Sequence, residues 1–198
     1  MRILAVTGGI ATGKSTVTAM LGALGAPTLS ADTLARDLLR PGTEASRAVL
    51  AAFPQCTTPG QDNAVDRRAL GGVIFADAEA RARLESLTHP PIIHALREAA
   101  GRWRAQPGGC AALEIPLLFE AGLESIADQI IVAACSLAQQ VERLGARLGV
   151  DEAEARRQIS TQWLLEEKKK RADSVIDTSG SLEDTQRQVT ALWEGICL

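Results

Sequence analysis

Thr7-Gly8-Gly9-Ile10-Ala11-Thr12-Gly13-Lys14-Ser15-Thr16 decides the reading of this chain. Gly8, Gly13, Lys14 and Ser15 fit the pattern G-x-x-x-x-G-K-[ST], in which a strand feeds a tight loop and the loop opens a helix. Glycine lets the backbone take φ > 0 and come close to an anion. The Lys ammonium then reaches β- and γ-phosphate oxygens, and the Ser hydroxyl ligates Mg²⁺. The flanks fit as well. Arg2 to Thr7 is a short apolar run suited to a buried strand. Val17, Met20, Leu21 and Leu24 recur at helical spacing, so a helix starts at the loop and points its N-terminus at the anion.

Working outward, 198 residues suffice for one good core with a small inserted lobe. A formal charge of −3 leaves no basic excess for a nucleic-acid backbone. No apolar run approaches a membrane span. The N-terminus goes straight into a strand, without room for a signal peptide. Cys56, Cys110, Cys135 and Cys197 are scattered with no C-x-x-C, which predicts reduced thiols in a cytoplasmic protein. His89 and His94 are spaced poorly for a helical metal pair.

Residues 31 to about 106 read as a helical, strand-poor lobe inserted between strands. Within it, 43–53 predicts a helix and 54–63 a loop. Asp77 predicts an N-cap, and Pro90-Pro91 restarts the chain. Residues 110–115 and 129–134, with Val175-Ile176, read as near-continuous apolar strands of a parallel sheet covered on both faces. The segment from 139 to 171 carries too little apolar surface to be core and reads as a projecting lid. Asp151-x-x-Glu154 predicts a capping box there. Residues 182–196 predict a final helix.

Asp32 follows a predicted strand, at the sheet edge where ligands bind in open parallel sheets. It either takes a proton from a hydroxyl nucleophile, or holds Mg²⁺ through water, or merely caps the helix starting at Thr33. Arg143 and Arg147 are i, i+4 on one helix face, suited to a moving phosphoryl group or else merely solvated. Lys168-Lys169-Lys170-Arg171 follows Glu166-Glu167 and reads as a mixed-charge helix. His89 reads as structural, bonding at a helix start.

Several blocks together are similar to the dephospho-coenzyme A kinase family. Leu4 to Ile10 with Gly13-Lys14-Ser15-Thr16 resembles that family's opening. So do Ala31-Asp32 with Ala35-Arg36, Arg67-Arg68-Ala69-Leu70 with Ile74-Phe75, and Leu87-Thr88-His89-Pro90. Gln140-x-x-Arg143-x-x-x-Arg147, Gln162 and Lys168 match its distal blocks, and Pro116-Leu117-Leu118-Phe119-Glu120 and Ala172-Asp173-Ser174-Val175-Ile176, in this order, are the more specific resemblance. The chain departs from the pattern at Ser30, Gln158 and Thr178. The resemblance implies an α/β, P-loop NTPase-type five-stranded parallel sheet flanked by helices, with a helical substrate lobe (31–106) and a helical lid (139–171). The core would then be 1–30, 107–138 and 172–198. It implies transfer of the ATP γ-phosphoryl group to the ribose 3′-hydroxyl of dephospho-CoA, with Mg²⁺ at Ser15. Gly8, Gly9, Ile10, Ala11, Thr12, Gly13, Lys14, Ser15 and Thr16 would cradle ATP. Asp32, Lys14, Arg143 and Arg147 would be catalytic, and Asp32, Arg36 and His89 would meet the acceptor. ATP and dephospho-CoA are then the partners of an expected monomer. The alternatives are a nucleoside monophosphate kinase or a nucleotide-dependent switch without transfer chemistry.

Overall fold

Strand β1 (Arg2–Gly8) is buried from Ile3 onward because it has a strand on each side and side chains above and below. The computed structural model describes residues 1–197, and of Phe75 the backbone alone, so that side chain of the Ile74-Phe75 block lies outside the description. The chain divides into two compact units, Met1–Ala31 with Glu98–Leu198, and Asp32–Arg97.

The first unit holds a five-stranded sheet in the order β2-β5-β1-β6-β7, with β2 at Thr28–Ser30, β5 at Cys110–Glu114, β6 at Gln129–Ala134 and β7 at Ser174–Asp177. Every pairing is parallel, so all strands end at the same edge. The uninterrupted apolar runs follow from this, since a parallel strand is covered on both faces. Helices α1 (Lys14–Ala23) and α9 (Leu182–Cys197) pack on one face, where Leu4, Val6, Val17, Leu21, Ile131 and Val189 form a core. Each such aliphatic side chain contributes about 1.5–3 kcal/mol by leaving water.

Cys110 and Cys197 are joined in a disulfide, with Cα atoms 5.4 Å apart, which corrects the expectation of four reduced thiols. Sequence spacing of 87 residues hides the fact that α9 ends at the first residue of β5. Cys56 and Cys135 remain free.

The second unit contains α2 (Ala31–Leu38), α3 (Glu44–Ala52), the hairpin of β3 (Thr57–Thr58) and β4 (Gln61–Val65), α4 (Arg67–Ala76) and the first part of α5 (Ala78–Arg104). Val49, Phe53, Cys56 and Leu70 form its own core. The hairpin replaces part of the loop expected over 54–63. Its polar residues 61–63 are exposed and offer no apolar alternation to read. Helix α5 runs through Pro90 and Pro91 instead of restarting there. The two prolines remove the amide donors that would meet the Ser86 and Leu87 carbonyls. The helix continues because more than two turns flank the pair on each side. Asp77 does cap it, accepting from Glu79 and Ala80 amides at 2.8 and 3.2 Å.

Candidate active site

The loop after β1 turns sharply over Gly8 and Gly13. Gly8 has φ 148°, and a Cβ there would strike the Ala133 carbonyl and the Thr12 hydroxyl. Gly13, at φ 84°, is the N-cap of α1. Helices α3 and α4 have side-chain caps, as do α6 (Leu137–Leu148) and α7 (Glu152–Ile159), whereas α1 has none and no acidic residue in its first turn. Its first amides and the positive end of its dipole are left to an anion in the loop.

Inside the loop, the Gly9 carbonyl accepts from Lys14 Nζ at 2.6 Å and from Thr12 Oγ1 at 3.0 Å. Ser15 Oγ donates to Glu114 Oε1 at 2.6 Å. Glu114 closes β5, and its side chain is almost fully buried at the strand's carboxyl end. Sequence reasoning missed it. The available signal was an acid ending an apolar strand, the position at which phosphate-loop enzymes place a metal-holding carboxylate. A hydroxyl and a carboxylate are hard oxygen donors and suit Mg²⁺, which takes one or two protein ligands and completes its shell with water and phosphates. Among the described residues no cluster of three or more His, Cys, Asp or Glu gathers for a metal.

Helix α6 starts with a full capping box, Ser136 with Gln139, and ends at Gly149 in the left-handed region. That start fixes its register, so Arg143 and Arg147 share a face. With Lys14, Ser15 and Thr16 they line one cavity of about 230 Å³. Arg143 is anchored by donating to the Thr178 carbonyl at 2.7 Å. Thr178 Oγ1 in turn donates to the Thr12 carbonyl at 2.8 Å, tying the end of β7 to the loop. A second cavity of about 290 Å³ adjoins, lined by Thr16, Arg143, Thr178, Gly180, Leu182 and Thr185 among others. Burial raises the pKa of the Cys135 thiol even though Arg143 and Lys14 pull it down, so this neighbour stays neutral.

Helix α8 (Leu165–Lys170) differs from its expected reading at one residue. Lys169 and Lys170 pair with Glu166 and Glu167 at the surface, as a mixed-charge helix should. Lys168 is fully buried. Its ammonium lies 2.8 Å from Glu120 Oε1, 3.2 Å from the Pro116 carbonyl and 3.3 Å from the Gly8 carbonyl. The first phosphate-loop glycine is thus held from beneath by a cation that four consecutive basic residues concealed.

The structure gathers Lys14, Ser15, Thr16, Arg143 and Arg147 round one cavity. Asp32, Arg36 and His89 belong to the second unit. Asp32 is exposed in the first turn of α2, two residues beyond the end of β2. Since α2 begins at Ala31, Asp32 is inside the helix and not its N-cap. Arg36 is exposed and donates to Thr33 Oγ1 at 2.8 Å. His89 sits within α5 and not at a helix start.

The dephospho-CoA kinase family model matches residues 2–184 of the chain. A dephospho-CoA kinase of Geobacter metallireducens is 40% identical over 195 residues, covering 98% of this chain and 96% of that one. A solved structure from Thermus thermophilus superposes with a TM-score of 0.81 at 34% identity, covering 100% and 98% of the two chains. A dephospho-CoA kinase structure from Campylobacter jejuni gives 0.67 at 26% identity, covering 99% and 97%.

Proposed function

On the footing that the chain belongs to the dephospho-CoA kinase family and is an ATP-dependent kinase of P-loop fold, we propose that it transfers the ATP γ-phosphoryl group to the ribose 3′-hydroxyl of dephospho-CoA. The observation that carries this reading is the cavity in which Lys14 and Ser15 face Arg143 and Arg147. A switch needs only the phosphate loop. Cations from a second helix supply charge where a phosphoryl group would move. The family match does not favour the monophosphate-kinase or switch alternatives.

In this reading residues 8–16 hold the triphosphate, and the cavity beside Thr178 and Leu182 takes the nucleoside. Ser15 and Glu114 hold Mg²⁺, which offsets phosphate charge when bound. Lys14 stabilises the β/γ-bridging region as the bond breaks, and Arg143 and Arg147 take the equatorial oxygens. Asp32 orients the acceptor hydroxyl and takes its proton. Arg36 and His89 contact the acceptor in the lobe of residues 31–106, and residues 139–171 act as a lid. The enzyme works as a cytoplasmic monomer. Among the described residues, no helix is long and apolar enough to cross a membrane.

ADP release measured against a panel of hydroxyl acceptors, with the phosphorylated position located by phosphorus NMR, tests the activity. Dephospho-CoA should be the preferred acceptor, and modification elsewhere than the 3′-hydroxyl would sink the assignment. Asp32→Asn tests the base. It should lower kcat by about 10²–10³-fold, the lower half of the usual general-base range, because a loose transition state needs little early deprotonation. Wild-type kcat in that variant would leave Asp32 a helix-dipole residue only.

A further inference from the structure

A cavity of about 390 Å³ in the first unit is not used by the reading above. It lies under α6, α7 and the segment leading into α8, and touches the phosphate loop only at Gly9. Two side-chain amides line it with an oxygen that is buried and has no hydrogen-bond partner, Gln140 Oε1 and Gln162 Oε1. Gln140 is only 3% exposed. A buried polar atom without a partner costs about 1–3 kcal/mol, so two in one cavity call for an absent partner. The rest of the wall includes Leu137, Ile159, Trp163 and Leu164. Leu137, Trp163 and Leu164 are at least 40% exposed, which is unusual for large apolar side chains and typical of a site that a ligand covers.

The wall is also preorganised. The Trp163 amide donates to Glu120 Oε1 at 2.9 Å, and its ring stacks on Phe119 at 6.2 Å. The Arg171 guanidinium lies 4.8 Å from the same ring. The apolar side is therefore fixed before any ligand arrives. Glycine at position 9 leaves the space for the Gln140 oxygen, which sits 2.9 Å from where a Cβ there would be.

We propose that this cavity is an adenine subsite and that it receives the base of the acceptor, dephospho-CoA, and not that of ATP. This rests on the function proposed above. A flat apolar ring with an amino group matches apolar walls and side-chain amides. A glutamine amide pairs with adenine through two bonds, accepting from N6–H and donating to a ring nitrogen. Turning either amide over exchanges acceptor for donor, and adenine offers both, so the match survives. A pantetheine arm fits less well, since it has no aromatic face for the apolar wall. The assignment to the acceptor follows from position. Nucleotide phosphates and base have their own adjoining cavities, which share Ala11, Gly13, Thr16 and Arg143. Neither includes Gly9, Gln140 or Gln162.

The test exchanges the base in each substrate separately. Wild-type enzyme is first assayed with ATP and dephospho-CoA, and absence of transfer there would defeat the proposed function itself. Given transfer, the hypoxanthine analogue of dephospho-CoA, which replaces the N6 amino donor by a carbonyl, should show KM raised about 10–100-fold. Gln162→Leu and Gln140→Met should raise KM for dephospho-CoA by a similar factor, leave KM for ATP within twofold, and erase the preference for adenine over hypoxanthine in the acceptor. A purely structural role would move melting temperature without erasing that preference. If ITP in place of ATP is the exchange whose effect disappears in the variants, the cavity serves the nucleotide and the proposal is overturned. Equal use of both acceptors by wild-type enzyme overturns it too, and that arm stands even if neither variant folds.

Discussion

The two ends of the parallel sheet are built differently. At the amino end the chain is stitched. Asp128 accepts from the Ile3 amide at 2.7 Å and pairs with Arg104 at 2.9 Å. Asp173 accepts from the Ile130 amide at 2.8 Å, the Met1 ammonium donates to the Trp103 carbonyl at 3.2 Å, and Cys110 is bonded to Cys197. At the carboxyl end lie an uncapped helix start, cavities lined by Lys14, Arg143 and Arg147, and unpartnered amide oxygens. Apart from the buried and unpartnered Gln129 Oε1 at the start of β6, the polar groups named at the amino end close on the protein, whereas the carboxyl end gathers cations and helix amides round cavities. Substitutions at the amino end should change stability at constant kcat, and those at the carboxyl end the reverse.

Lys168 breaks that division and gives the largest effect. It stands at the carboxyl end but reaches only protein oxygens. Lys168→Met keeps the volume and leaves Glu120 as an uncompensated, mostly buried carboxylate. The loss should be about 3–5 kcal/mol in urea unfolding. Lys168→Met with Glu120→Gln should recover part of that loss, since the pair and not the cation alone is at stake. A loss under about 1 kcal/mol in the single variant would show that Lys168 is not holding the loop.

Cys197→Ser sharpens the comparison. The bond closes a loop of 87 residues, and disulfides of this kind contribute about 2–4 kcal/mol. Melting temperature should fall to the value of wild-type protein in reductant, with kcat unchanged. A wild-type melting curve indifferent to reductant would remove the bond from the account. Lys14→Ala is the converse. It should lower kcat by at least ~10²-fold, as loss of one transition-state donor does, while the melting temperature holds. Near-normal turnover would take the phosphate loop out of the chemistry.

The sequence disclosed the amino-to-carboxyl direction of the fold better than its fastenings. Strands β1, β5 and β6 were legible because burial on both faces writes itself as near-continuous apolar runs, and the edge strand β7, in which only Ile176 is buried, showed as the short Val175-Ile176 pair. Glu114 was swallowed by such a run, because strand assignment attends to the apolar residues and passes over the acid that ends them. Lys168 stood among the matched residues, but its burial was not legible, since three chemically equal neighbours differ only in which one a short helix turns inward. The Cys110–Cys197 bond depends on where α9 ends against the sheet, which no local pattern records. Gln140 and Gln162 stood inside matched blocks, but an orphaned oxygen is a property of three-dimensional surroundings and has no sequence signal.

Asp128→Asn gives the smallest effect and tests the amino end by pH. Burial alone would push the Asp128 pKa up. The Arg104 hydrogen bond, the Ile3 amide and the positive charges of Arg104 and the N-terminus outweigh it and hold the carboxyl below its ordinary value. A depressed folded-state pKa means that the stabilisation is fully present above the unfolded value of roughly 3.9 and is lost as pH falls through the folded value. The wild-type protein should therefore lose stability on acidification from about pH 5 downward more steeply than Asp128→Asn, and the two curves should converge at the acid end. The carboxylate is 39% exposed, so water screens the pair and the difference at pH 7 should stay below about 1 kcal/mol. Asn still offers a carbonyl oxygen to the Ile3 amide, so what disappears is the charge and not the hydrogen bond to β1. Parallel stability curves for the two proteins from pH 7 to pH 3 would mean that the Asp128 charge contributes nothing, and that the other fastenings hold the amino end without it. A change in kcat beyond twofold at pH 7 would instead show that the two ends of the sheet are coupled.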